Sequence, residues 1–160
     1  MAIYKQWEGW TYEYFDLDVE ASTFPGAENF VELWKNKRGS RRMPKWSDYD
    51  WYDLTPWWGY LVVVDYSYDP FDFRYRLFGT KVVERFEIDV TGKKAFELQQ
   101  GRYDLSQDMD FYEKIARELY ISRSSGPIHW QNRDYVDVTF VELPMSDTAE
   151  ITTQSLALMI

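Results

Sequence analysis

Apolar and polar positions change period along the chain, and the changes mark its elements. In residues 69–86, DPFDFRYRLFGTKVVERF, Phe73, Tyr75 and Leu77 alternate with Arg74 and Arg76, after which Val82, Val83 and Phe86 recur at helical spacing. Alternation argues strand and a 3–4 residue spacing argues helix, so a strand is predicted to enter a helix through the Gly79-Thr80 corner, with Thr80 as N-cap. Residues 59–66, GYLVVVDY, are apolar at consecutive positions, which predicts a strand covered on both faces. The intervening SYDPFD is a turn signal, so the two strands form a hairpin.

A helix is predicted from Ala27 to Gly39, with Phe30, Leu33, Trp34 and Lys37 on one side and Lys35, Lys37 and Arg38 complementing its C-terminal dipole. The clearest helical pattern starts at Asp108, a capping residue, and puts Phe111, Tyr112, Ile115, Ala116 and Leu119 on one face through about residue 122. Pro44 and Pro56 bracket a short helix, and residues 88–103 read as short helices and turns around Gly92 and Gly101. Three further strands are expected at 128–131, 135–143 and 152–160. Residues 1–26 hold Trp7, Trp10, Tyr12, Tyr14 and Phe15 among acids and read as an extended strap. The order of elements predicts one α+β domain over residues 27–160, preceded by that strap, with two and then three strands sharing a sheet and helices on one face. Helices from the middle of the chain cover only that one face of the 59–66 strand. Residues 1–38 or a second subunit must cover the other, which predicts a homodimer whose interface uses Phe30, Leu33, Trp34, Arg38, Arg41 and Arg42.

Charge narrows the partners. A net charge of −9 opposes phosphate contact, so nucleic acid is not an expected partner. Residues 35–45, KNKRGSRRMPK, carry six of the 18 basic residues and no acid, and read as a helix end or as a patch for an acidic partner. The chain has no cysteine, which removes thiolate nucleophiles, iron–sulfur clusters and cysteine-bound zinc. No apolar run approaches the length that crosses a bilayer and MAIYKQWEGW is no signal peptide, so the expectation is a cytoplasmic protein without a membrane partner.

Candidate chemistry is sparse. His129 is the only histidine and sits beside Trp130 in an expected strand, so neither a histidine-rich metal site nor a haem ligand is expected. The acid pairs Asp16/Asp18, Asp48/Asp50, Asp69/Asp72 and Asp108/Asp110 read as turns, caps or solvated positions, and spacing alone cannot place two carboxylates face to face. There is no dinucleotide fingerprint, P-loop or nucleophile elbow. The chain's 8 Trp, 13 Tyr and 10 Phe instead favour packing or binding through rings.

The segments LWKNKRGSRRMPKWSDYD and DPFDFRYRLFGTKVVERFEIDVTGKKAFEL, above all FRYRLFGT and DVTGK, resemble a family of small bacterial proteins that consist of little more than a PAS domain. The resemblance spans about residues 27–160 and weakens beyond residue 100 to strand pattern and the PMSD turn. It implies a five-stranded antiparallel sheet, an extra helix at the N-terminal end, and a non-enzymatic sensory or protein-interaction module that often dimerises and has a cavity between sheet and helices. On that reading Tyr75, Leu77, Val82, Phe86, Phe111, Ile115, Leu119, Trp130 and Phe140 line an apolar pocket for a small apolar or aromatic ligand. A signalling protein is a further candidate partner, and no cofactor is expected. Two other readings stand beside it: a carbohydrate-binding module presenting Trp7, Trp10, Trp46, Trp57 and Trp58, and a small enzyme of unassigned chemistry.

Overall fold

The residues read as a strap form strands. In the computed structural model, which describes residues 2–7, 9–99, 106–128, 133–148 and 150–160, the chain opens with a hairpin of β1 (Ala2–Trp7) and β2 (Trp10–Phe15). There follow α1 (Glu28–Arg38), β3 (Leu61–Ser67), β4 (Asp72–Phe78), α2 (Thr80–Phe86), α3 (Ala95–Gln99), α4 (Ser106–Glu118), β5 (Ile121–Ile128), β6 (Arg133–Met145) and β7 (Gln154–Met159). Short 3-10 turns at Ala21–Thr23, Trp46–Asp48 and Tyr52–Trp57 occupy the connection from β2 to β3. The strands form one seven-stranded antiparallel sheet in the order β1-β2-β5-β6-β7-β3-β4. The expected five-stranded sheet is thereby corrected: β1 and β2 extend it beyond β5. No helix among the described residues is long and apolar enough to cross a membrane.

Helices lie on both faces, not one. Along β3, Leu61 and Val63 enter one core while Val62 and Val64 enter the other, which is why the run is apolar at consecutive positions. The first core is closed by α1, whose Phe30, Val31 and Trp34 are buried against Leu143, Met145, Leu156 and Leu158 of the same chain. Trp34 also donates its indole N–H to the Pro144 carbonyl at 2.8 Å, so the largest buried ring has its polar atom satisfied. The second core is closed by α2, α3 and α4, through Val82, Phe86, Ala95, Phe111 and Ile115.

β5 lies earlier than the expected 128–131. ISRSSGPI, whose first two residues were expected in the preceding helix, has alternate positions buried and pairs with both β2 and β6. The helix expected to continue to residue 122 stops at Glu118, and Leu119 takes a left-handed φ of 62°. At the Gly79-Thr80 corner the helix is not capped by the Thr80 side chain: the Gly59 carbonyl accepts from the N–H groups of Lys81 (2.8 Å) and Val82 (3.3 Å). That carbonyl presses on residue 79, where an added Cβ would stand 2.3 Å from it and 2.9 Å from the Leu61 carbonyl oxygen. Glycine is required there by space.

Two outcomes follow from this packing. Gly79→Ala has only backbone to push against and lowers stability by about 3 kcal/mol, the upper part of the usual overpacking range, read as the midpoint shift in urea. Deleting residues 1–26 removes β1, β2 and the buried Phe15, Ala21 and Phe24, so the remainder loses its cooperative thermal transition in circular dichroism instead of remaining a folded core.

Candidate functional site

The expected pocket residues divide among three groups. Tyr75, Val82, Phe86 and Phe140 do gather in the core beneath α2, and Phe111 and Ile115 of α4 pack in the neighbouring cluster on Tyr12. Leu77 and Leu119 belong to the opposite core, beneath α1. For Leu77 the cause is a bulge: Val63 pairs with Leu77 but Val64 pairs with Tyr75, so Arg76 is an extra residue on β4 and reverses the alternation after it. Trp130 and His129 lie outside the described residues, as do the side chains of Trp7 and Asp108. The predicted interface helix is likewise turned inward, with Phe30 and Trp34 buried against the chain's own sheet. Arg38 meets the acidic strap segment within one chain, donating to Asp18 at 2.6 Å, and its guanidinium lies 5.0 Å from the Trp34 ring.

The face of the sheet under α4 holds a feature that the sequence reading missed. Glu142 of β6 is buried, and its Oε1 accepts from Tyr66 Oη of β3 at 2.6 Å and from Ser155 Oγ of β7 at 2.5 Å. Glu142 has no salt bridge among the described residues. Burial, against which the two hydroxyls work, pushes its carboxyl above the ordinary value of 4.5, and burial next to that carboxyl pushes the Tyr66 phenol up as well. A cavity of about 10 Å³ lies between Tyr66, Glu142, Ser155 and the α4 residues Ile115 and Ala116, enough for a single water. Ser122, which pairs with Glu142 across β5 and β6, has a buried hydroxyl without a hydrogen-bond partner among the described residues. A sequence signal for this site does exist. Val136, Val138, Phe140 and Glu142 share one parity of β6, so an acid occupies the next position of an apolar face.

A second feature lies on the α1 side. Trp51, Tyr52, Trp58 and Tyr60 are 64%, 83%, 42% and 42% exposed, and the Trp51 and Trp58 rings touch at 4.6 Å between centroids with 60° between planes. Their segment is fastened to the basic stretch by Lys37–Asp53 at 2.8 Å and Arg41–Asp48 at 2.7 Å, and the backbone N–H groups of Asp50 and Lys45, followed by these cations, hold both aspartates below their ordinary range. Of the tryptophans expected in a sugar platform, Trp58 is exposed. Trp57 packs edge-on to Phe30, Trp46 packs against the α1 core, and Trp10 covers Gly126 and donates to the Pro127 carbonyl.

No known protein family, curated protein or solved structure matches the chain. The site is therefore read from its own chemistry. Among the described residues no three histidine, aspartate or glutamate side chains group as metal ligands. What the geometry offers is one buried acid with hydroxyl partners and one exposed aromatic surface. Tyr66→Phe removes one of the two donors to Glu142 and costs about 1 kcal/mol of unfolding free energy, measured in urea with an unchanged m-value.

Proposed function

We propose that this chain is a non-catalytic sensory or protein-interaction module that works as a homodimer through Trp51, Tyr52, Trp58 and Tyr60. The observation that supports it is the clustering of four exposed aromatic side chains on one segment, since contiguous exposed rings mark interaction surfaces and Trp and Tyr dominate their energetics. The chain leading to these rings carries both signs: among the described residues, Asp50 and Arg42 are exposed and in no salt bridge. A two-fold contact places such acids of one copy against such bases of the other, which offsets the repulsion expected of a chain with net charge −9. The role agrees with what the PAS resemblance implied, without its five-stranded sheet and with the interface moved from the buried face of α1 to this surface. The space at Glu142 admits one water, so this reading does not rest on an organic ligand there.

The carbohydrate reading keeps one supporting observation, the exposed Trp58 against Trp51. Rings meeting at 60° form a corner, whereas stacking on a sugar face calls for a flat platform. Sedimentation at tens of micromolar distinguishes the two. The wild-type chain is expected to sediment as a dimer, and Trp51→Ser combined with Tyr52→Ser as a monomer with the same far-ultraviolet circular dichroism. A wild-type monomer whose tryptophan fluorescence is quenched by a neutral oligosaccharide such as cellohexaose would replace the dimer with the sugar surface, and a monomer with no quenching would refute both.

A further inference from the structure

Carboxylates are among the side chains least often buried without a cationic partner, because desolvation costs more than neutral hydrogen bonds return. Glu142 is buried, and its hydrogen-bond partners among the described residues are two hydroxyls. Both donate to Oε1, so in the neutral acid the proton resides on Oε2. Ser122, across the β5–β6 register on the same face, presents a buried hydroxyl with no partner among the described residues, and space for one water adjoins Glu142 beneath α4. The arrangement suits the protonated acid and leaves the ionised one undercompensated. Its roof is the α4 helix, through Ile115 and Ala116, with Tyr120 beyond the helix end.

The charged groups around the roof are occupied elsewhere. On α4, Arg117 lies over the Tyr68 ring at 5.0 Å with Glu113 beside it, Lys114 pairs with Glu118 at 2.6 Å, and Asp110 pairs with Lys5 at 2.8 Å. On β3, Asp65 bonds Arg76 and Gln154 on the opposite face, and just beyond the strand Tyr68 donates to the Thr152 carbonyl. On β5, Arg123 chelates Glu13. We propose that Glu142, with Tyr66, Ser155 and Ser122, is a proton-binding site that holds α4 on the sheet when occupied and loosens it when empty. The step is a simple ionisation: Oε2–H gives its proton to solvent, and the carboxylate draws in water beneath α4. This inference is independent of the aromatic surface.

The sign follows from the upward shift. Because the folded acid titrates above 4.5, the stability it contributes is fully present below that pH and is lost as pH rises through the folded value. Asp18, Asp48, Asp53, Asp89 and Asp110, elsewhere in the fold, are held below their ordinary range and so act at lower pH. The test follows backbone amide exchange of α4 from pH 4.5 to 8, corrected for intrinsic exchange, beside the carboxyl carbon shift of Glu142 by NMR. Wild-type protein should lose at least tenfold protection across the Glu142 transition, and Glu142→Gln should lose none. Tyr66→Phe, which removes a donor favouring the carboxylate, should move the carboxyl midpoint upward. Every other titratable group is common to the wild type and Glu142→Gln, so the difference between them isolates Glu142. A carboxyl midpoint at or below 4.5 overturns the proposal even if Glu142→Gln fails to fold. Equal pH profiles for the wild type and Glu142→Gln overturn it as well.

Discussion

Burial of the central sheet on both faces sets the terms for everything else in this molecule. A strand such as β3, with Leu61 and Val63 in one core and Val62 and Val64 in the other, has no polar side over most of its length. Each face therefore needs its own helical layer, and a chain of 160 residues has to supply both. It does so by placing α1 before the first central strand and α2 to α4 within the connection from β4 to β5. The first layer removes Phe30 and Trp34 from the list of surfaces open to a partner, and the second places a helix over Glu142.

The parts legible in the sequence are those in which one period persists. The α1 helix, with Gly39 ending it, the consecutive apolar run of β3 and the amphipathic face of α4 each carry a single pattern strong enough to decide the element. The requirement that β3 be covered twice was legible too, but the helix that supplies the second cover, expected at a dimer interface, packs within its own chain. Illegible parts have two causes. β5 is built from Ser122, Ser124 and Gly126, small residues whose turn propensity is overridden because Trp10 of β2 fills the space above Gly126. The bulge at Arg76 changes parity without changing composition, so alternation assigned Leu77 to the wrong face. The aromatic patch was legible only in part: Trp58 was a candidate, but composition cannot tell it from the buried Trp34.

Glu142 illustrates a different limit. Its position on β6 is marked by parity, but the cost of burying it becomes visible only when Tyr66 and Ser155 converge on it from β3 and β7. Both neighbours bring neutral hydroxyls, which stabilise a carboxylate less than a guanidinium would. The contrast with Arg123 is instructive: it bonds Glu13 through two nitrogens at 2.6 and 2.9 Å and also donates to the Thr23 carbonyl. The same sheet thus carries one acid compensated by charge and another compensated by hydroxyls alone, and the second is the one whose energy depends on its proton.

The two helical layers are also unequal in how they are held. α1 is fixed by a fully buried indole hydrogen-bonded to the β6 backbone, by Phe30 against Trp57, and by the ion pairs that tie its end to the 3-10 turns. α4 rests on Phe111 and Ile115 against Tyr12 and on partly exposed tyrosine rings, with Lys5–Asp110 and Lys114–Glu118 at its surface. Exposed ion pairs of this kind add little, so α4 belongs to the less stable part of the fold. An uncompensated acid costs least where the element above it can yield, whereas an aromatic docking surface works only on a support that holds its rings in place. The buried acid lies under the less firmly held layer, and the exposed rings are carried by the segment that the Lys37 and Arg41 pairs tie to the end of α1.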